Sequence, residues 1–206
     1  LNVQGSLVEC EWRVSADSAF FNSPKLYSEF GFNLEADALG FMGTLNDNMV
    51  ITSMERKYEK KNAPLLFNLA ELQGECTKVL HISPSETLSV VQSLYEKKLT
   101  TYPRTDARVL SSAIAGEVKK NLSGLKNGDF RAYAEEIESR HYSLGNKYVD
   151  DSKITDHYAI IPTGKTVKEL SGLEKSIYEM IVRRFLAVFY PPAEFEVVRF
   201  EAKANN

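Results

Sequence analysis

Strand-like alternation at both ends of this chain brackets a run of capped, amphipathic helices, and that order restricts the folds open to it. Near the start, Val8, Cys10, Trp12 and Val14 alternate with Glu9, Glu11 and Arg13. That period of two predicts a strand over Leu7–Val14 with one buried face. Residues 15–31 carry loop formers and room for a short strand, and Asn33–Leu45 suits a short helix weakened by Gly40 and Gly43. Met49–Tyr58 is β-branched early and charged late, a second strand running into a solvated loop at Glu59–Ala63. At the other end, Phe195–Lys203 returns to strand character after Tyr190-Pro191-Pro192 stops the preceding helix.

Between these ends the signals are helical. Asn68 with Glu71 forms a capping arrangement ahead of a stripe of Leu69, Leu72, Cys76, Val79 and Leu80. Ser83-Pro84-Ser85-Glu86 combines an N-cap, a proline at the first helical position and a capping-box glutamate. The helix it opens is expected to bury Leu88, Val91, Leu94 and Tyr95 and to end at Lys97-Lys98. Leu99–Tyr102 reads as extended. Thr105 or Asp106 is expected to cap the next helix, with Val109, Leu110, Ala113, Ile114 and Val118 inward and Lys119-Lys120 at its end. A helix follows over Asp129–Glu138, then a long polar irregular segment at 139–170, a length that is uncommon unless functional. Ser171-Gly172-Leu173-Glu174 repeats the capping box and opens a helix with Leu173, Ile177, Ile181, Phe185 and Val188 on one side. The fold class expected is α+β: a mainly helical domain, residues 63–189, inserted into a β-rich arch made from both ends of the chain, residues 1–62 and 190–206.

Composition removes several alternatives. At 206 residues and 43% hydrophobic, the chain has material for a buried core and one or two domains. No apolar run approaches a membrane span, and no signal peptide is visible. Two cysteines, Cys10 and Cys76, are too few for a disulfide framework and fit a reducing compartment. A start at Leu1 suggests a piece of a longer protein. The net charge of -3 excludes a uniformly basic nucleic-acid coat. It leaves room for a local basic site, because a phosphate feels charges within a Debye length of about 8–10 Å.

The informative stretch is Gln92–Asp106. Tyr102 precedes Pro103, which pushes its backbone to an extended conformation. Arg104 lies two residues on and therefore faces the same side. A helix N-terminus at Thr105 or Asp106 would direct free N–H groups and partial positive charge to the same spot. A phenol, a guanidinium and a helix N-terminus together suit a phosphate that the phenol oxygen can attack. A phenol's ordinary pKa is about 10, so a nearby guanidinium is needed to favour phenolate and to stabilise phosphoryl charge. A Tyr-x-Arg alone is nearly always structural; the surrounding string gives this one its weight.

That string resembles the type IA DNA topoisomerases, and the topoisomerase III branch most closely. Supporting blocks are Pro64–Gln73, Ser83–Thr87, Asp156-His157-Tyr158-Ala159-Ile160-Ile161-Pro162-Thr163 and Phe189–Ala193, in family order over roughly residues 60–200. Residues 1–60 match only in β character. The resemblance implies an ATP-independent isomerase. Tyr102 would attack a phosphodiester of single-stranded DNA and form a transient 5′-phosphotyrosine link, through which another strand passes before religation. It implies that Arg104 contacts the scissile phosphate and that His157 orients it or donates a hydrogen bond. In close relatives a second histidine often follows; here that residue is Tyr158, which puts any role of that imidazole in doubt. The catalytic set is thus Tyr102, Arg104 and His157. Gln73, Gln92, Thr105, Asp106 and Arg108 are candidate DNA contacts, and Gln73 and Gln92 are equally consistent with solvated helix faces. Lys97, Lys98, Lys119 and Lys120 are either backbone contacts or cations at helix ends. His81 and His141 have no nameable partners, Trp12 and Tyr95 read as core aromatics, and Asp150-Asp151 reads as a solvated loop rather than a metal site.

The family's second half-site is a Toprim domain that supplies carboxylates for Mg2+, and no Asp-x-Asp after a hydrophobic strand occurs here. Mg2+ and the Toprim domain are therefore expected elsewhere in the same full-length chain. The fragment alone is expected to be inactive in relaxation, and the parent to be cytoplasmic and nucleoid-associated. A second reading makes the chain a non-catalytic nucleic-acid or protein-interaction module with Tyr102 structural. A third is a tyrosine recombinase or relaxase, whose basic and histidine partners cluster differently.

Overall fold

The computed structural model describes residues 2–3, 6–7, 9–45, 49–166, 169–170 and 172–204. The chain divides into two compact units, Leu1–Lys57 with Glu196–Asn206, and Tyr58–Phe195. Helices and small sheets are mixed, as α+β requires, and among the described residues no helix is long and apolar enough to cross a membrane.

The first unit holds β1 (Asn2–Val3) paired antiparallel with β2 (Ser6–Leu7), β3 (Leu26–Ser28) paired antiparallel with β4 (Gly31–Phe32), and α1 (Glu35–Met42). Its small core is aromatic. Trp12 stacks on Phe32 with centroids 5.1 Å apart, and Phe20 and Phe41 close the cluster at 5.2 Å from each other. This corrects the strand expected over Leu7–Val14. Only Leu7 is in a strand; residues 9–15 are irregular, and Val8 lies outside the described residues. The alternation still turns Trp12 and Val14 inward. A cluster of rings captures them, and Val14 N–H bonds the Glu29 carbonyl at 2.8 Å.

Strands β5 (Met49–Lys61) and β6 (Ala193–Ala204) pair with each other. Arg56 meets Glu196 at 3.1 Å and Lys60 meets Glu194 at 2.7 Å, so the two run in opposite directions. β5 continues through the region expected to be a solvated loop from Glu59, because these charged side chains find partners across the ladder.

The second unit is built on α2 (Leu69–Leu80), α3 (Pro84–Glu96), α4 (Ser112–Leu125), α5 (Arg131–Ser139) and α6 (Gly172–Ala187). The caps behave as the sequence predicts. Asn68 accepts from Glu71 N–H at 2.9 Å and Ser83 from Glu86 N–H at 3.2 Å, each worth about 1 kcal/mol. The cap expected at Ser171 lies outside the described residues. Helix α3 packs against both α2 and α6, and Leu72, Cys76, Val91, Leu94, Ile177, Ile181 and Phe185 form the shared core. Both cysteines are free, Cys76 buried and Cys10 exposed. Val79 and Tyr95, expected inward, are 53% and 38% exposed, because each lies at the margin of its helix's apolar stripe.

The largest correction concerns residues 105–111. No helix starts at Thr105 or Asp106; α4 starts at Ser112, capped by Ser111, which accepts from Ile114 N–H at 3.3 Å. Val109 and Leu110 are buried as expected, but their backbone is spoken for elsewhere. The Val109 carbonyl accepts from Ala159 N–H, and Leu110 bonds Tyr148 and Asp150, all at 2.8–3.0 Å. Pairing with distant segments overrides the local helical pattern. The later helix start also rotates Ala113 outward.

Candidate active site

Three stretches distant in sequence converge in the second unit. Helix α3 ends in a Schellman motif: Leu99 N–H bonds the Leu94 carbonyl at 3.0 Å and Lys98 N–H bonds the Tyr95 carbonyl at 2.7 Å, with Lys98 at φ 61°. That reversal lays Leu99–Thr101 antiparallel to Ile161–Thr163, through Thr101 N–H to Ile161 and Thr163 N–H to Leu99, both 3.0 Å. Phe67 joins from the other side, its carbonyl accepting from Ile160 N–H at 2.8 Å. The Thr101 hydroxyl donates to the Ala159 carbonyl and accepts from Ile161 N–H, both at 3.0 Å.

Beyond Tyr102 burial alternates. Pro103, Thr105 and Ala107 are buried, Arg104 and Asp106 exposed, and Tyr102 and Arg108 half-buried. Tyr102 and Arg104 thus share the outward side of the segment, as the i, i+2 spacing predicts. The helix N-terminus expected beside them is absent, since α4 begins at Ser112. The N–H groups of the first turn of α4 therefore lie ten residues on in the chain, and the charge next to Tyr102 in sequence is the Arg104 guanidinium.

Tyr102 lines a cleft of about 560 Å³ together with Tyr95, Glu96, Lys98, His157, Tyr158 and Thr163 among others. Two rings hold it. Tyr95 meets it edge-on with centroids 5.4 Å apart, and His157 lies at 4.4 Å, tilted by 46°. His157 is exposed, but its backbone is anchored: the buried Thr105 hydroxyl donates to the His157 carbonyl at 2.9 Å and accepts from Ala107 N–H at 3.1 Å. Arg104 does not line this cleft, and among the described residues its guanidinium takes no ion pair.

Three tyrosines of the second unit have raised phenols. Burial pushes the Tyr178 phenol up to about 12. Burial and a hydrogen bond to Glu136 at 2.9 Å push Tyr190 up to about 12, and burial raises Tyr158 as well. Each shift disfavours phenolate.

The remaining predicted residues are tied into the protein. Gln73 donates to the Pro84 carbonyl at 2.9 Å, linking α2 to α3. Gln92 donates to Glu96 at 3.2 Å. Asp106 is exposed, and its carbonyl accepts from Asn68 at 3.0 Å. Arg108 pairs with Glu71 at 3.0 Å. None of these, nor Thr105, lines the cleft. Tyr95, read from the sequence as a core aromatic, and Thr101, Tyr158 and Thr163, none of them among the candidate site residues, line the cleft. The signal for Tyr95 was its place one step off the apolar stripe of α3. His81 and His141 occupy left-handed positions, φ 56° and 54°, just past the ends of α2 and α5. Asp150 is engaged by Lys153 and Ser152, and Asp151 by Ser112. Among the described residues no three His, Cys, Asp or Glu side chains gather to hold a metal.

Replacing Thr105 by Val keeps its shape but strands the His157 carbonyl and the Ala107 N–H. A loss of about 2 kcal/mol in unfolding free energy is expected from urea titration; no change would show that these bonds are not maintained in solution.

A family model described as DNA topoisomerase matches residues 9–206. The chain belongs to the DNA topoisomerase family. Topoisomerase relatives include a protein named DNA topoisomerase 3 from Bacillus cereus, 38% identical over 162 residues, and one of the same name from Bacillus subtilis (strain 168), 41% identical over 160 residues. These alignments cover 77% and 76% of this chain but 22% of each relative, so the chain spans under a quarter of their length. Among solved structures, full-length topoisomerase I from Thermotoga maritima is similar, with a TM-score of 0.58 and 27% identity over 85% of this chain and 28% of that one.

Proposed function

We propose that this chain is the nucleophile-bearing part of a type IA topoisomerase acting on single-stranded DNA. The observation that carries the reading is Tyr102 held between Tyr95 and His157 at the wall of an open cleft, with Arg104 on the same outward side. The Tyr102 oxygen attacks a backbone phosphorus and loses its proton. A bond from that oxygen to phosphorus forms, the bond to the 3′ oxygen breaks, and the departing 3′ oxygen takes up a proton. The product is a 5′-phosphotyrosine ester and a free 3′-hydroxyl. The reverse transfer reseals the strand, so no ATP is consumed. Arg104 contacts the phosphate under attack, and its bidentate fork suits the charge developing on the phosphoryl oxygens. His157 orients the phosphate or the phenol.

Gln73, Gln92, Thr105, Asp106 and Arg108 complete the proposed DNA-facing set, with Thr105 acting through the backbone it fixes. Residues 63–189 are the domain that carries the nucleophile. Residues 1–62 with 190–206 form the arch about which the gate opens. The Toprim domain and its Mg2+ are assigned to the rest of the full-length protein, and the parent enzyme to the nucleoid.

The reading is tested with the 206-residue chain itself. It is expected to bind single-stranded DNA with an affinity that falls steeply with salt, and to give no relaxation of supercoiled plasmid with Mg2+. Salt-insensitive binding would contradict a phosphate-directed site. Relaxation by the pure chain would contradict the division of the catalytic centre.

A further inference from the structure

We propose that Lys98 holds a backbone phosphate of the bound strand inside the Tyr102 cleft, next to the phosphate under attack. The proposal rests on the function reading above and adds a residue to it. Two adjacent lysines with the same formal charge have different fates here. Lys97 takes the right-handed C-cap position of α3, φ -70°, and its ammonium is engaged by Glu174, which also accepts from the Ser93 hydroxyl at 2.7 Å. Lys98 lies in the left-handed region at φ 61° and lines the cleft. Among the described residues its ammonium takes no ion pair.

Three further observations point the same way. The left-handed position of a Schellman motif favours glycine, and a lysine there carries backbone strain that a glycine would not. The Lys98 carbonyl accepts from the Thr163 hydroxyl at 2.6 Å, so the residue is fixed in place across the cleft wall. The other ionised side chain lining the cleft is Glu96. Arg104 is not among the lining residues, so within the lining it is Lys98 that offsets the Glu96 carboxylate. An ammonium is a point charge on a flexible stem, and it suits a contact that ignores base sequence.

The test is fluorescence anisotropy of a labelled single-stranded oligothymidylate with the 206-residue chain, titrated from about 50 to about 200 mM salt. Lys98→Gln is expected to weaken binding roughly three- to tenfold at low salt and to make the slope of log K against log salt shallower by about 0.7, one phosphate contact on a single strand. Lys97→Gln, which removes the same charge one residue away, is expected to leave that slope unchanged, and Lys98→Arg to restore it. Lys98→Gly relieves the left-handed strain; it is expected to raise the unfolding midpoint and still weaken binding, which separates lost contact from lost fold. Equal slopes for Lys98→Gln and Lys97→Gln, with the wild-type chain binding normally, would overturn the assignment and leave the function reading standing. Salt-insensitive or absent binding by the wild-type chain would overturn both.

Discussion

Tyr102→Phe in the full-length enzyme is expected to reduce strand cleavage by at least about 10³-fold while single-stranded DNA binding stays within about twofold. The asymmetry follows from what the substitution removes. Phenylalanine keeps the ring that Tyr95 and His157 flank at 5.4 and 4.4 Å. The hydroxyl makes no hydrogen bond to protein among the described residues, so the fold loses nothing with it. A stability change within about 0.5 kcal/mol is expected, as for a partly exposed side chain without buried partners. What disappears is the oxygen that attacks phosphorus; of the other tyrosines lining the cleft, Tyr158 has a phenol raised by burial and Tyr95 meets the Tyr102 ring edge-on from the adjoining helix. Gel detection of cleaved oligonucleotide alongside anisotropy binding reads both quantities. Unchanged cleavage would favour the alternative, an interaction module in which Tyr102 only packs.

The second large effect is structural. Phe67→Ala is expected to cost about 3–5 kcal/mol in unfolding free energy, measured by urea titration with an unchanged m-value. Phe67 is 1% exposed, and the Arg184 guanidinium lies 4.0 Å from its ring centroid. Arg184 in turn donates to the Leu65 carbonyl at 3.0 Å. Truncation would leave a cavity under a cation and beside the segment whose Ile160 N–H bonds the Phe67 carbonyl. Because that segment carries His157, cleavage is expected to fall along with stability. A loss below about 1 kcal/mol would mean the site collapses freely around the missing ring.

Elements governed by local chemistry were legible in the sequence. Asn68 and Ser83 each accept the N–H three residues on, because a side-chain oxygen at an N-cap has one nearby unsatisfied donor to find. The Tyr102–Arg104 facing also follows from local geometry, with Pro103 forcing extension and the period of two doing the rest. Elements governed by distant partners were not legible. Val109 and Leu110 have a helical pattern, yet their backbone pairs with Ala159, Tyr148 and Asp150. The Ser111 cap two residues on marks where α4 starts, but no residue near Val109 names the distant partners. Trp12 shows the same failure from the other direction, its alternation marking an inward side chain but not whether a strand or a ring cluster receives it. In the candidate site, Thr101 and Thr163 could be found only once the reversal at Lys98 was known, because it pairs Leu99–Thr101 with Ile161–Thr163.

In the proposed reaction the oxygen of Tyr102 becomes covalently bonded to a DNA phosphate. The most direct measurement denatures the full-length enzyme on a single-stranded oligonucleotide, digests both polymers and sequences the tryptic peptides by mass spectrometry. A nucleotide phosphate on Tyr102, absent from Tyr102→Phe, is expected. An adduct on any other residue, or cleavage without an adduct, would contradict the proposed reaction.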